Sequence, residues 1–335
     1  MSVPVIAFFN NKGGVGKTSL VFHVAHLLAD VDFRVVAADM DPQGNLSAAF
    51  LSDQRLEQLW PEGTSLPTIY GAVEPIKRGT GDIRDPLLET INDRLVLIPG
   101  DMGLSDFEDD LSQVWPKCLD RDERAFRVIS AFWRVLQKGA ENHQADVVLI
   151  DLGPNLGAIN RAALIAADDV VMPLGPDLFS IQGLRNLGPR LRSWRAEWQE
   201  RIPKNPAAGE LALPQGKMQP LGYIVMQHSE RKRYPVKSYR KWIARIPEAY
   251  GKYVLDDAEA GDVPVESDEH CLAMLKHYRS LMPMAQEAGK PIFHLKPGDG
   301  ALGAHVAAVR DAREDFSTLA LEIVQRADIG KAAVA

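Results

Sequence analysis

The chain has 335 residues, of which 46% are hydrophobic and 25% charged, with a net charge of −7 and two cysteines. Such proportions belong to a globular chain able to bury a large core, and they exclude collagen-like, disordered and disulfide-stapled classes. No apolar run approaches the ~20 residues of a membrane-spanning helix, since the best candidate, residues 158–167, is interrupted by Asn160 and Arg161.

The first predicted strand covers residues 5–10, with no basic leader before it, so no secretory signal is expected and the expected location is cytoplasmic. It runs into Lys12-Gly13-Gly14-Val15-Gly16-Lys17-Thr18-Ser19, which opens a predicted helix over 17–29. A glycine-rich string signals phosphate chemistry only when it joins a strand to a helix N-terminus, as here. Glycines let successive N–H groups turn into one concavity, and the helix end adds partial positive charge. In this frame Lys17 reaches the β- and γ-phosphates of a nucleoside triphosphate, and the Thr18 hydroxyl reaches Mg²⁺. The strict phosphate-loop pattern asks for glycine at position 11. This chain has Asn11, a residue that tolerates left-handed backbone.

The next predicted strand, 34–40, ends in Asp39-Met40-Asp41-Pro42-Gln43-Gly44-Asn45. Two carboxylates two apart share one face of a strand, and at its C-terminal end they face the ligand crevice of an α/β sheet. A strand over 94–99 and a helix over 122–137 follow. The strand over 146–152 is an apolar run closed by Asp151, the Walker-B arrangement, in which the carboxylate holds Mg²⁺, usually through water. Further strands are predicted over 169–174, 221–227 and 291–295, and helices over 181–198, 236–250, 272–288 and 305–326. Most strands are continuous apolar runs, as expected where both faces are covered. The expected fold is therefore α/β: a doubly wound, mostly parallel sheet with helices on both faces. We expect a single domain over 1–335, with surface insertions near 52–65, 203–219 and 255–269.

These motifs resemble the deviant-Walker P-loop ATPases: ParA, MinD, the nitrogenase iron protein and their relatives. Lys12, an early loop lysine in addition to Lys17, is the mark of that group. The resemblance implies that Lys12 crosses a dimer interface to the partner's nucleotide. It implies that Asp41 orients or activates the attacking water, while Asp39 is tied to the metal shell or the loop lysine. Asp39 and Asp151 would then reach the metal through water, with Thr18 as a direct ligand. Pro173 would lie near the nucleotide. Residues 152–157 resemble the group's D-x-P-P-S-L-G switch but depart from it at Gly153 and Asn155, and Asn160 stands where threonine is usual.

Between Arg185 and Arg245 there are 14 Lys/Arg and 4 Asp/Glu, a local charge of +10 against −17 for the remainder. An acidic body carrying one basic segment can stay dispersed and still approach a polyanion. ParA-like proteins bind DNA without sequence preference as ATP dimers. Arg231 matches a DNA-contacting arginine of the family, with Lys232, Arg233, Lys237, Arg240 and Lys241 continuing the positive surface. The alternative is a solvated basic helix face on an ATPase that regulates a protein partner without touching DNA. A ParB-like activator is the expected further partner. No membrane partner is expected, because residues 327–335 offer too little apolar area for a MinD-like anchor. The cysteines are not placed to hold an iron–sulfur cluster. A loop starting within the first dozen residues leaves us expecting no helix-turn-helix before it.

Overall fold

The computed structural model describes residues 2–61, 66–226, 236–261 and 263–330, with the backbone alone for 236–239. In chain order the regular elements are β1 (Val5–Phe8), α1 (Lys17–Asp30), β2 (Val35–Asp39), α2 (Asn45–Phe50), α3 (Asp53–Leu59), α4 (Ile69–Arg78), β3 (Glu89–Asn92) and β4 (Leu95–Ile98). Then come α5 (Glu108–Val114), α6 (Glu123–Ile129), α7 (Ala131–His143), β5 (Val147–Asp151), α8 (Ala158–Ala166), β6 (Asp169–Leu174) and α9 (Leu178–Arg201). The last are β7 (Gln219–Met226), α10 (Val236–Ile243), α11 (Ile246–Tyr250), β8 (Cys271–Leu275), α12 (Leu281–Ala288) and α13 (Ala304–Arg326).

The strands form one sheet of eight in the order β3-β4-β2-β5-β1-β6-β7-β8. Every pairing is parallel except β3 with β4, a hairpin at the edge. All four residues of β1 are fully buried: Val5 and Ala7 join the core on one face, Ile6 and Phe8 the core on the other. That explains the unbroken apolar runs, because a strand with helices above and below has no solvent face for polar residues. One face carries α4 to α9; the other carries α1, α12 and α13. The expected doubly wound, mostly parallel sheet is what the chain forms.

Four predicted elements differ, one of them the helix expected over 236–250, which is divided into α10 and α11 where Pro247 lacks an N–H to continue the ladder. Residues 271–275 form a strand beside β7, where the helix-forming Leu, Ala and Met favoured a helix; β-pairing overrides that weak preference. Residues 291–295 carry only a 3₁₀ turn. The helix predicted over 122–137 is divided at Ser130, whose hydroxyl donates to the Phe126 carbonyl at 2.7 Å beside the residue's own N–H at 3.0 Å, a back-bond that bends helices. Of the expected insertions, 203–219 packs back on α9, where the Trp198 indole donates to the Pro214 carbonyl at 2.9 Å.

Candidate phosphate-binding site

The C-terminal ends of β1, β2, β5 and β6 converge on one crevice, and the glycine loop crosses it between β1 and α1. Gly14 and Gly16 have φ of 70° and 89°, the left-handed region that glycine enters without steric cost. Asn10 anchors the loop. Its amide donates to the Pro173 carbonyl on β6 at 2.6 Å, and its side-chain oxygen accepts from the Lys12 N–H at 2.9 Å. Pro173 therefore borders the loop through its backbone. Gly13 and Gly14 are exposed at the loop's crest and Val15 is buried beneath it.

Lys17 is only 7% exposed, and its ammonium donates to the Lys12 carbonyl at 3.3 Å. Burial lowers its pKa, and the nearby Asp151 and Asp41 carboxylates partly restore it. The Thr18 hydroxyl donates to Asp151 Oδ2 at 2.6 Å. The Ser19 hydroxyl and carbonyl lie 3.4 Å and 2.6 Å from His23 Nδ1. Since His23 Nε2 accepts the Ile292 N–H at 3.1 Å, the proton sits on Nδ1, and the ring ties the first turn of α1 to the C-terminal region.

Asp39 and Asp151 are direct register partners on β2 and β5. Asp39 is held by its own neighbourhood: Oδ2 accepts from the Ser47 N–H and hydroxyl, each at 2.8 Å, and Oδ1 from the Asp41 N–H at 3.3 Å. The sequence left Asp39 to the metal shell or a loop lysine. Among the described residues its hydrogen-bond donors are Ser47 and Asp41, not a lysine. Gly100 makes room for this arrangement, because a Cβ there would come within 2.8 Å of the Asp39 carboxyl carbon. Burial raises the pKa of Asp39, and burial followed by the Asp39 charge raises that of Asp151 further. Asp151 Oδ1 is buried without a hydrogen-bond partner. An orphaned carboxylate oxygen beside a threonine hydroxyl, under a glycine cradle and a buried lysine, fits Mg²⁺ with a polyphosphate.

Asp41 lies at the rim, 8% exposed, with Oδ1 accepting the Gln43 N–H at 3.0 Å. Gly153 faces it, and a Cβ there would stand 3.2 Å from Asp41 Oδ1. The segment after Asp151 is fixed by Asn160, whose amide donates to the Gly153 carbonyl at 2.8 Å and the Asn155 carbonyl at 2.7 Å. Glu108 was not found by sequence reasoning. Its carboxylate takes the first two N–H groups of α8, from Ala158 and from Ile159, the latter at 2.8 Å. Asp177 was missed as well. It caps α9 by accepting the Ser180 N–H at 2.9 Å, and it ion-pairs with Lys12, whose ammonium also stands 5.9 Å from the Phe179 ring centre. An Asp three before a Ser at a helix start is a legible cap; its pairing with Lys12, 165 positions away, is not.

Arg231, Lys232 and Arg233 lie outside the described residues, as does the side chain of Lys237. Arg240 and Lys241 are exposed on α10, and Lys241 stands 5.7 Å from the Trp242 ring centre.

A family model described as an AAA domain matches residues 3–203, more than half of the chain. The chromosome partitioning protein ParA of Myxococcus xanthus is 30% identical over 183 residues, covering 55% of this chain and 56% of that protein. The chain spans about half the length of the first curated relatives it matches. Among solved structures, the Cyanothece McdA(D38A)–ATP complex shares the fold at a TM-score of 0.62, with 18% identity over 99% of both chains. Cobyrinic acid a,c-diamide synthase of Mycobacterium smegmatis with bound ADP and magnesium is 25% identical, at a TM-score of 0.50 over 77% of this chain and 83% of that one. No described helix is long and apolar enough to cross a membrane. With the glycine loop, the second lysine and the paired strand-end aspartates in place, the chain belongs to this AAA-domain family as a ParA-like P-loop ATPase.

Proposed function

We propose that this single ATPase domain is a nucleotide-controlled switch for partitioning or positioning DNA or another cargo. One observation carries the reading. Lys17, Thr18, Asp151 and Asp41 surround one glycine cradle, while Lys12 stands on the same rim with its ammonium on Asp177. The residues at the cradle are suited to ATP·Mg²⁺: Gly13 to Ser19 with Pro173 would bound the nucleotide, Thr18 and Asp151 would hold the cation, and Asp39, beside Asp151 on the next strand, would reach it through water. Bound Mg²⁺ supplies charge compensation for the transferring phosphoryl group.

Lys17 neutralises charge on the outer phosphates from a buried position, where water screens it least. Asp41 orients the attacking water, and Gly153 leaves it the space to do so. Lys12 is 30% exposed and reaches a second copy once it leaves Asp177, so the third phosphate becomes a joint between subunits. Hydrolysis at Asp41 removes that joint. Turnover is slow, because the second lysine must arrive from another molecule.

The dimer brings together basic surfaces containing Arg231, Lys232, Arg233, Lys237, Arg240 and Lys241, which bind DNA through its phosphates and not its base edges. A ParB-like protein is the natural accelerator of the cycle. Co-sedimentation with DNA in ATP, ADP or no nucleotide, across a salt series, tests the reading. Retention with ATP alone, lost steeply as salt rises, is expected. Equal retention in all three states would contradict it, and no retention in any would favour a protein partner instead.

A further inference from the structure

Helix α9 starts at the Lys12–Asp177 pair and, eight residues on, carries Arg185 into a second concavity. With ~1.5 Å of rise per residue, the two features are about 12 Å apart on one rigid rod. Arg185, Arg245 at the entry to α11, and Lys252 in the π-helical turn that follows it (Gly251–Leu255) line a cavity of about 80 Å³. Its floor is apolar, formed by Ile181 and Ala249. Among the described residues none of the three cations forms an ion pair, whereas Arg192 close by pairs with Asp256 at 2.9 Å.

The cations are held in place without being neutralised. The Arg185 guanidinium lies 5.1 Å from the centre of the Tyr253 ring, and the Lys252 ammonium 5.8 Å from the same ring. Arg245 lies 5.1 Å from the Trp242 ring, which Lys241 also approaches. Tyr253 is itself fixed, since Arg192 donates to its carbonyl at 2.7 Å. Aromatic faces thus orient three positive groups around a hollow fit for one tetrahedral oxyanion and too small for a nucleotide. Glu248 also lines it and is its one carboxylate. A carboxylate beside an anion site weakens it, so Glu248 sets an upper limit on affinity.

We propose that this pocket seats a backbone phosphodiester of nucleic acid. The proposal rests on the DNA-binding reading above and adds to it a site on α9 and α11, apart from the α10 residues. Because Arg245 and Lys241 share the Trp242 ring, the pocket continues the exposed basic face of α10. Because α9 also carries Asp177, a phosphate held by Arg185 bears on the helix that restrains Lys12.

The test uses the full chain with ATP·Mg²⁺ and fluorescence anisotropy on a labelled duplex of arbitrary sequence, over a salt series. R185Q and R245Q should each weaken binding several-fold and reduce the slope of log affinity against log salt by about 0.9, one phosphate's worth of counterion release. E248Q should tighten binding, a change of sign that a folding defect does not produce. K252Q removes a charge from the rim and serves if R185Q lowers the melting temperature by unstacking Tyr253. Wild-type affinity and slope in R185Q, R245Q and K252Q would overturn the pocket while leaving the broader DNA reading intact. No duplex binding by the wild type in any nucleotide state would overturn both. If inorganic phosphate raises the melting temperature of the wild type but not of R185Q, while both bind duplex equally, the pocket serves a free anion and the phosphodiester assignment is wrong.

Discussion

Asp39 and Asp151 stand side by side in register on neighbouring strands, yet only Asp39 is fully engaged by its own chain. Two adjacent buried carboxylates repel one another, and Ser47 relieves one of them. The other keeps an oxygen free. We therefore predict different failures. Asp151→Ala should lose magnesium-dependent nucleotide affinity by tenfold or more in calorimetric titration while staying folded. Asp39→Ala strands the buried Ser47 donors and should cost about 1–3 kcal/mol in urea denaturation. Identical phenotypes for the two variants would erase the distinction.

Asp41→Ala should bind ATP with near wild-type affinity and turn over on the order of 100-fold more slowly, the scale of a lost water-positioning group. Phosphate release measures the rate. A variant hydrolysing at the wild-type rate removes Asp41 from the chemistry.

His26 packs edge-on against Phe22 in the interior, and burial drives its pKa from 6.5 down to about 3. The unfolded chain binds this proton near pH 6.5 and the folded chain does not, so stability falls as pH drops below 6.5 and is unaffected above about 7.5. By pH 5 the loss is about 2 kcal/mol at most. Asp39 and Asp151 act in the opposite direction, because their raised values favour the folded state as pH falls. The histidine is isolated by comparison with His26→Phe. The difference in urea midpoint between variant and wild type should widen in the variant's favour from pH 7.5 to pH 5. A difference constant with pH contradicts the assignment.

Helix α9 passes the Tyr253 backbone so closely that a Cβ on Gly188 would lie 2.0 Å from the Tyr253 carbonyl oxygen. Gly188→Ala must separate the two segments and should cost about 1–3 kcal/mol or more, seen as a lowered melting temperature. An unchanged melting temperature would show that the contact yields freely.

What could be read in the sequence was what is local. The glycine loop, Lys17, Thr18 and the strand-end aspartates 39, 41 and 151 are short strings whose chemistry depends on neighbours a few positions away, and the structure gathers them in one crevice. The partners that aim them are remote. Asp177 meets Lys12 across 165 positions and Glu108 caps α8 across 50, with no local pattern to announce either. Residues 271–275 misled because Leu, Ala and Met suit a helix until β7 offers its edge. Residues 291–295 misled because the Ile292 N–H goes to His23 and not to a neighbouring strand.

In the proposed switch, the third phosphate of ATP joins two copies of this chain through Lys12. Analytical ultracentrifugation of wild type and Lys12→Ala, each with ATP·Mg²⁺ and with ADP·Mg²⁺, measures it directly. Wild type should be a dimer with ATP alone, and Lys12→Ala a monomer in both nucleotides despite retained ATP binding. A wild-type protein whose mass is the same with ATP and ADP, or a Lys12→Ala variant that dimerises as readily as wild type, would contradict it.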